Sequence, residues 1–240
     1  MPPQDLRVDD LAVVRAPLEL APSDLVALRA DLGRPPRGVV GIAARCVCLR
    51  PIVARTAPRL PDGQPFPTTF YLTSPVAVAA ISTLEAGGTM AEMNARLLTD
   101  PALSAAHRTA HEDYLARRAE LGEAPEIAGV SAGGMPTRVK CLHALAAHAL
   151  AVGPGINRLG DEALLLIAPR WRPDRCACPR GTGVASVLEG PGRGIGSRGG
   201  GGATRNAGNA RNAGADGVLA SGVGDLSPGA GNVIVRGEAT

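Results

Sequence analysis

The sequence predicts an α+β domain, with a small three-stranded antiparallel sheet followed by four or five helices. Three observations point there. Short apolar segments bounded by Gly and Pro crowd residues 38–73, the apolar period turns helical from Ser74 onward, and the foldable pattern stops near Trp171.

Residues 1–22 read as a flexible N-terminal arm. Ser23 is placed to cap a short helix from Asp24 to Leu32, which Gly33 and the Pro35-Pro36 pair end. Gly38–Arg45 and Pro51–Thr56 read as strands flanking a Cys46-Val47-Cys48 corner. Pro61-Asp62-Gly63 is a turn signal, and Thr68–Thr73 reads as the third strand. Ser74-Pro75 opens a helix that runs to Ala86, because serine caps well and proline suits the first helical position. Thr89 and Glu92 have capping-box spacing for a helix to about Leu98. Asp100-Pro101 starts the longest helix, which Gly122 stops. A fourth helix is expected from about Pro136 to Val152, closed by Gly153-Pro154, and Asp161 is placed to cap a last short one. Residues 23–172 are thus expected to form a single domain.

Residues 173–240 read as a disordered tail rich in Gly, Ala and Arg. Of the 31 glycines, 18 lie in the last 60 residues, and such a segment buries too little apolar surface to offset its backbone entropy. The stretch 194–199 has the G-x-G-x-x-G spacing, but no strand precedes it and no helix follows, so a dinucleotide site is not expected. The same composition is what a shifted frame of a GC-rich gene yields.

Composition narrows the function. A net charge of +3 with interspersed signs gives no basic patch, and five aromatic residues give no stacking platform, so nucleic acid is not an expected partner. No apolar run approaches the roughly 20 residues that span a bilayer. Acids stand where a signal peptide would carry its basic segment, so the expected setting is the cytoplasm. Five cysteines (46, 48, 141, 176 and 178) include two C-x-C pairs, a spacing that in a reducing compartment reads as metal ligation or redox chemistry before disulfides.

The densest chemistry lies in Ser131–His143, a glycine-rich turn expected to run straight into a helix carrying Arg138, Lys140, Cys141 and His143. Lys140 is the only lysine among 25 basic residues. Exposed N–H groups, a helix start and cations suit an anion, so Ser131, Gly133, Gly134, Arg138 and Lys140 form a candidate anion site. Arg59 and Asp62, in a proline-rich loop, would join it if that loop packs nearby. A catalytic alternative makes Cys141 a nucleophile with His143 as its base, although neither a C-x5-R nor a Walker pattern is present. A metal alternative joins Cys46 and Cys48 to Cys141 and His148, the last two being seven apart and so on one helical face. Zinc is the ion such a set would take. The second C-x-C pair falls outside the expected fold. His107 and His111 share a helical face, where local hydrogen bonding is expected, with Asp113 pairing to Arg117.

The segments 33–48, 56–75, 110–122, 126–150 and 153–164, above all S-A-G-G-M-P-T-R-V-K-C-L-H (131–143), resemble a bacterial family called domain of unknown function five hundred and one, typical of GC-rich Gram-positive genomes. The likeness covers about residues 24–172. Its genes tend to lie beside a septum-formation initiator, so the resemblance implies a link to division or envelope physiology and supplies no reaction. Relatives often carry Cys or His where this chain has Ser74, as a zinc ligand would alternate; serine departs from that pattern. The expected function is a cytoplasmic accessory or anion/ligand-binding protein, whose partner is a small anion or another protein. An enzyme using Cys141 and a zinc-stabilised interaction module are the alternatives.

Overall fold

A computed structural model of the chain describes Arg7 and residues 19–179. Most of the expected N-terminal arm, and the tail from residue 180 with its 194–199 motif, lie outside the described residues. The order of elements is α1 (Pro22–Leu32), β1 (Val39–Arg45), β2 (Pro51–Thr56), β3 (Phe70–Leu72), α2 (Pro75–Ala86), α3 (Thr89–Thr99), α4 (Pro101–Ala119), a 3-10 turn (Pro125–Ile127), α5 (Leu142–Val152) and α6 (Arg158–Ile167). The antiparallel sheet and its five following helices have the expected class.

The strands lie in the order β1-β2-β3. Central β2 is buried along its whole length, with Val53 opposite Leu72 and Ala54 opposite Tyr71. Alternation sends Ile42 and Ala54 to one face, under Leu28 of α1, and Ala43, Val53 and Leu72 to the main core. That core is roofed by α5, which touches all three strands and carries α6 against it. Leu142, Leu145 and Leu150 are almost wholly buried there. Burying each stabilises the fold by about 1.5–3 kcal/mol. Gly160 of α6 is required at the α5–α6 crossing, because a Cβ there would collide with the Leu145 carbonyl and press on Ala149. Among the described residues no helix is long and apolar enough to cross a membrane.

Several helix starts differ from expectation, those of α1, α5 and α6 because a non-local or neighbouring group captured the backbone. Helix α1 begins at Pro22, and the Asp24 carboxylate, not Ser23, accepts the Ala21 N–H at 2.9 Å. Gly88, at φ +89°, precedes α3 in place of Thr89 as the cap. Asn157 caps α6 by accepting the Gly160 N–H at 2.9 Å, while Asp161 turns back to Gly155 N at 2.8 Å. The largest departure is α5, which starts at Leu142 instead of Pro136. The Gly133 carbonyl takes the N–H groups of Lys140 (2.7 Å) and Cys141 (3.3 Å). Asn94 of α3 accepts Val139 N–H at 2.8 Å and donates to Val139 O at 2.9 Å. With those groups committed, the i to i−4 ladder cannot start earlier. Arg138 and Lys140 therefore precede the helix.

Candidate functional site

Cysteine chemistry concentrates at the tip of the β1–β2 hairpin. Cys46 N–H bonds to Arg50 O (2.9 Å), and Leu49 N–H closes the turn onto Cys46 O (2.8 Å). Leu49 sits at φ +68°, the left-handed region that a branched-chain residue holds only when its surroundings impose it. Two ion pairs brace the hairpin against α1. Arg45 meets Asp24 at 2.6 Å, and Arg50 meets Asp31 at 2.7 Å, the latter pair 2% exposed on both sides.

Beyond α6, Trp171 is buried, and a turn closed by Arg175 N–H to Arg172 O (3.3 Å) leads the chain back to this tip. Cys176 and Cys178 thereby join Cys46 and Cys48, with all four sulfurs within 4.8 Å of one another. Cys48 Sγ and Cys178 Sγ are 3.6 Å apart. A disulfide needs about 2.05 Å. Two thiolates on one tetrahedral zinc, each about 2.3 Å from the ion, stand about 3.8 Å apart. Burial pushes the Cys46 thiol up to about 11, and burial together with the neighbouring thiols pushes Cys178 higher still. The Cys178 N–H and then the Cys48 side chain draw Cys176 the other way. Arg50 is held strongly cationic, chiefly by Asp31 and further by the sulfurs of Cys178 and Cys48.

A second cluster lies where α2 meets the start of α5. Cys141, extended at φ −153°, is the residue before α5, and its Sγ is 3.9 Å from His143 Nδ1. The same Nδ1 is 3.1 Å from Glu85 Oε1 of α2. That carboxylate oxygen also accepts the Leu142 N–H at 2.7 Å. His143 Nε2 faces the Val78 carbonyl at 3.1 Å and Ser82 Oγ at 3.2 Å. The Cys141 thiol, with Glu85 and the Val78 carbonyl, outweighs burial and lifts His143 to about 9. Cys141, His143 and Ser82 line a cleft of about 440 Å³ beside β3, whose outer edge pairs with no further strand among the described residues.

The structure thus brings Cys141 and His143 together but parts the expected metal set. His148 is fully buried, stacked on Phe70 and edge-on to Tyr114. Its Nδ1 accepts from Asn157 Nδ2 at 3.1 Å and its Nε2 donates to Asp113 at 2.9 Å. Desolvation keeps it neutral by lowering its pKa against the pull of Asp113. The seven-residue spacing placed Cys141 and His148 on one face only if the helix ran through Cys141, and it does not.

Several members of the anion set are engaged by the protein's own groups. Arg59 makes two bonds to Glu126, at 2.6 and 2.7 Å, and Asp62 pairs with Arg37. Ser131 bonds His111 Nδ1 at 2.9 Å and the Met135 carbonyl at 3.2 Å. Gly133 and Gly134, at φ +71° and +93°, fold the loop onto Lys140 and Cys141, and the helix start holds the protein's own Glu85 carboxylate. His107 Nε2 meets Arg138 O at 3.2 Å, and Asp113 pairs with Arg117 at 2.8 Å. Sequence reasoning missed Cys176, Cys178 and Glu85. The repeat of the C-x-C spacing was a signal for the first two; nothing local marks Glu85.

Among the described residues, fold and clusters define a small α+β protein with two separate groups of side chains that could hold a metal ion. It belongs to the family described as protein of unknown function (DUF501), whose profile matches residues 42–165. The matched span contains Cys46, Cys48, Glu85, Cys141 and His143, while Cys176 and Cys178 follow it. No curated protein and no solved structure matches the chain.

Proposed function

We propose that this protein is a zinc-stabilised accessory module in which Cys46, Cys48, Cys176 and Cys178 hold one structural zinc ion. One observation carries the reading: four sulfurs from two distant C-x-C pairs lie within 4.8 Å of one another. Four thiolates fill a tetrahedron and leave no open position, so the ion's work is architectural. It clamps residues 172–179 to the β1–β2 tip, and Leu49's imposed turn and the Arg50–Asp31 pair support a preformed half-site. A reducing compartment, where thiols stay available, suits this role, in keeping with a cytoplasmic protein. The test is zinc content by elemental analysis of the full chain, purified without a metal-affinity tag, beside Cys178→Ser. The variant should carry about one equivalent less than the wild type. Equal zinc in both proteins would overturn the reading.

A further inference from the structure

We propose that Glu85, Cys141 and His143 form a second metal centre, of the open kind, that takes a divalent transition ion such as zinc and presents it to the cleft beside β3. The inference does not depend on the four-cysteine site, which lies elsewhere on the fold and uses none of these residues.

The argument rests on which ring nitrogen faces what. The Val78 carbonyl only accepts hydrogen bonds, so Nε2, 3.1 Å away, carries a proton. Nδ1 is the nitrogen whose proton a metal ion would displace, and both Cys141 Sγ (3.9 Å) and Glu85 Oε1 (3.1 Å) converge on it. The three donor atoms lie within 4.8 Å of one another. Around a tetrahedral zinc, bond lengths of about 2.0–2.3 Å set such atoms roughly 3.3–3.7 Å apart, so small shifts of flexible side chains close the site. A metal-bound histidine characteristically donates its other N–H to a carbonyl or carboxylate, which is the role Val78 plays. Glu85 is itself oriented, since its Oε1 also receives the Leu142 N–H at 2.7 Å.

The same geometry argues against a nucleophilic triad. In a triad the acid holds the nitrogen opposite the one that serves the nucleophile. Here Glu85 and Cys141 share Nδ1, so the carboxylate competes with the thiol for one nitrogen instead of steering the ring from behind. Three convergent ligands of mixed softness suit zinc, and three protein ligands leave a fourth position for water or a substrate atom. The cleft of about 440 Å³, walled by Phe70, Leu72 and Ser82, is on hand to supply that occupant.

The experiment is cobalt(II) titration of the zinc-depleted full chain, read by thiolate-to-metal charge transfer, on the wild type, Cys178→Ser and His143→Ala. Two equivalents are expected in the wild type. Cys178→Ser should keep one, with the weak charge transfer of a single thiolate. His143→Ala should keep the other, with the strong absorption of four. X-ray absorption on the zinc-loaded wild type needs no variant, and there the mean shell should be about 2.5 sulfurs per ion with both sites filled. One equivalent in the wild type, unaffected by His143→Ala and with a four-sulfur shell, would overturn the second centre while leaving the first intact. Two equivalents unaffected by Cys178→Ser would overturn the first alone.

Discussion

Cys48 and Cys178 bring their sulfurs to 3.6 Å although 130 positions separate them in the chain. The contact joins the hairpin tip to the segment after α6. A metal clip forms its site only in the folded chain, so its binding free energy adds to folding while the ion is bound.

Stability should therefore follow free zinc. At a concentration 100 times the dissociation constant, a ligand that binds only the folded state stabilises it by about 2.7 kcal/mol. Thermal melts at graded zinc should rise accordingly, and EDTA should return them to the baseline. In Cys178→Ser the part of the rise due to the four-cysteine site should vanish. A melting temperature indifferent to both zinc and EDTA would rule out the clip.

Arg50 and Asp31 form an ion pair almost sealed from solvent. Removing one partner strands a buried charge, which costs about 3–5 kcal/mol. Arg50→Ala should lose that much in urea unfolding at saturating zinc, whereas Arg37→Ala, whose partner Asp62 is half exposed, should change stability by less than about 1 kcal/mol. Comparable losses in the two variants would contradict this account of the hairpin.

His148 predicts a pH dependence. Its folded pKa lies below the ordinary 6.5 because burial penalises the imidazolium more than Asp113 and its hydrogen bond assist it. Below pH 6.5 the unfolded chain takes up a proton that the folded chain refuses. Stability from this residue is full above that pH and falls as the pH drops toward the folded value. The charged and titratable groups facing the ring are Asp113, through it Arg117, and the edge-on Tyr114. His148→Gln should flatten the slope of unfolding free energy against pH just below 6.5, measured by urea titration. An unchanged slope would assign the acid sensitivity elsewhere.

Gly160→Ala tests the α5–α6 crossing. The added methyl meets the Leu145 carbonyl, which belongs to helix backbone and cannot swing aside. Overpacking of this kind costs about 1–3 kcal/mol or more. Gly129→Ala, which meets nothing within 4 Å but holds φ +71°, isolates the backbone strain alone and should cost less. Denaturant midpoints of the two variants decide the point.

The amino-acid sequence by itself determined the class and order of elements. Ser74-Pro75, Asp100-Pro101 and the Gly and Pro breaks state where chain direction changes, because caps and turns are decided by a few neighbouring dihedrals. It also marked Cys141 with His143, which are adjacent enough that local geometry joins them. Tertiary structure decided the rest. The start of α5 was set by Asn94 reaching from α3, the return of Cys176 and Cys178 by packing after Trp171, and the arrival of Glu85 by α2 lying against α5. The separation of His148 from Cys141 came from the same late helix start. Such clusters are built by side chains whose meeting depends on how elements dock. Periodicity and spacing record how each element turns and not which neighbour it turns toward.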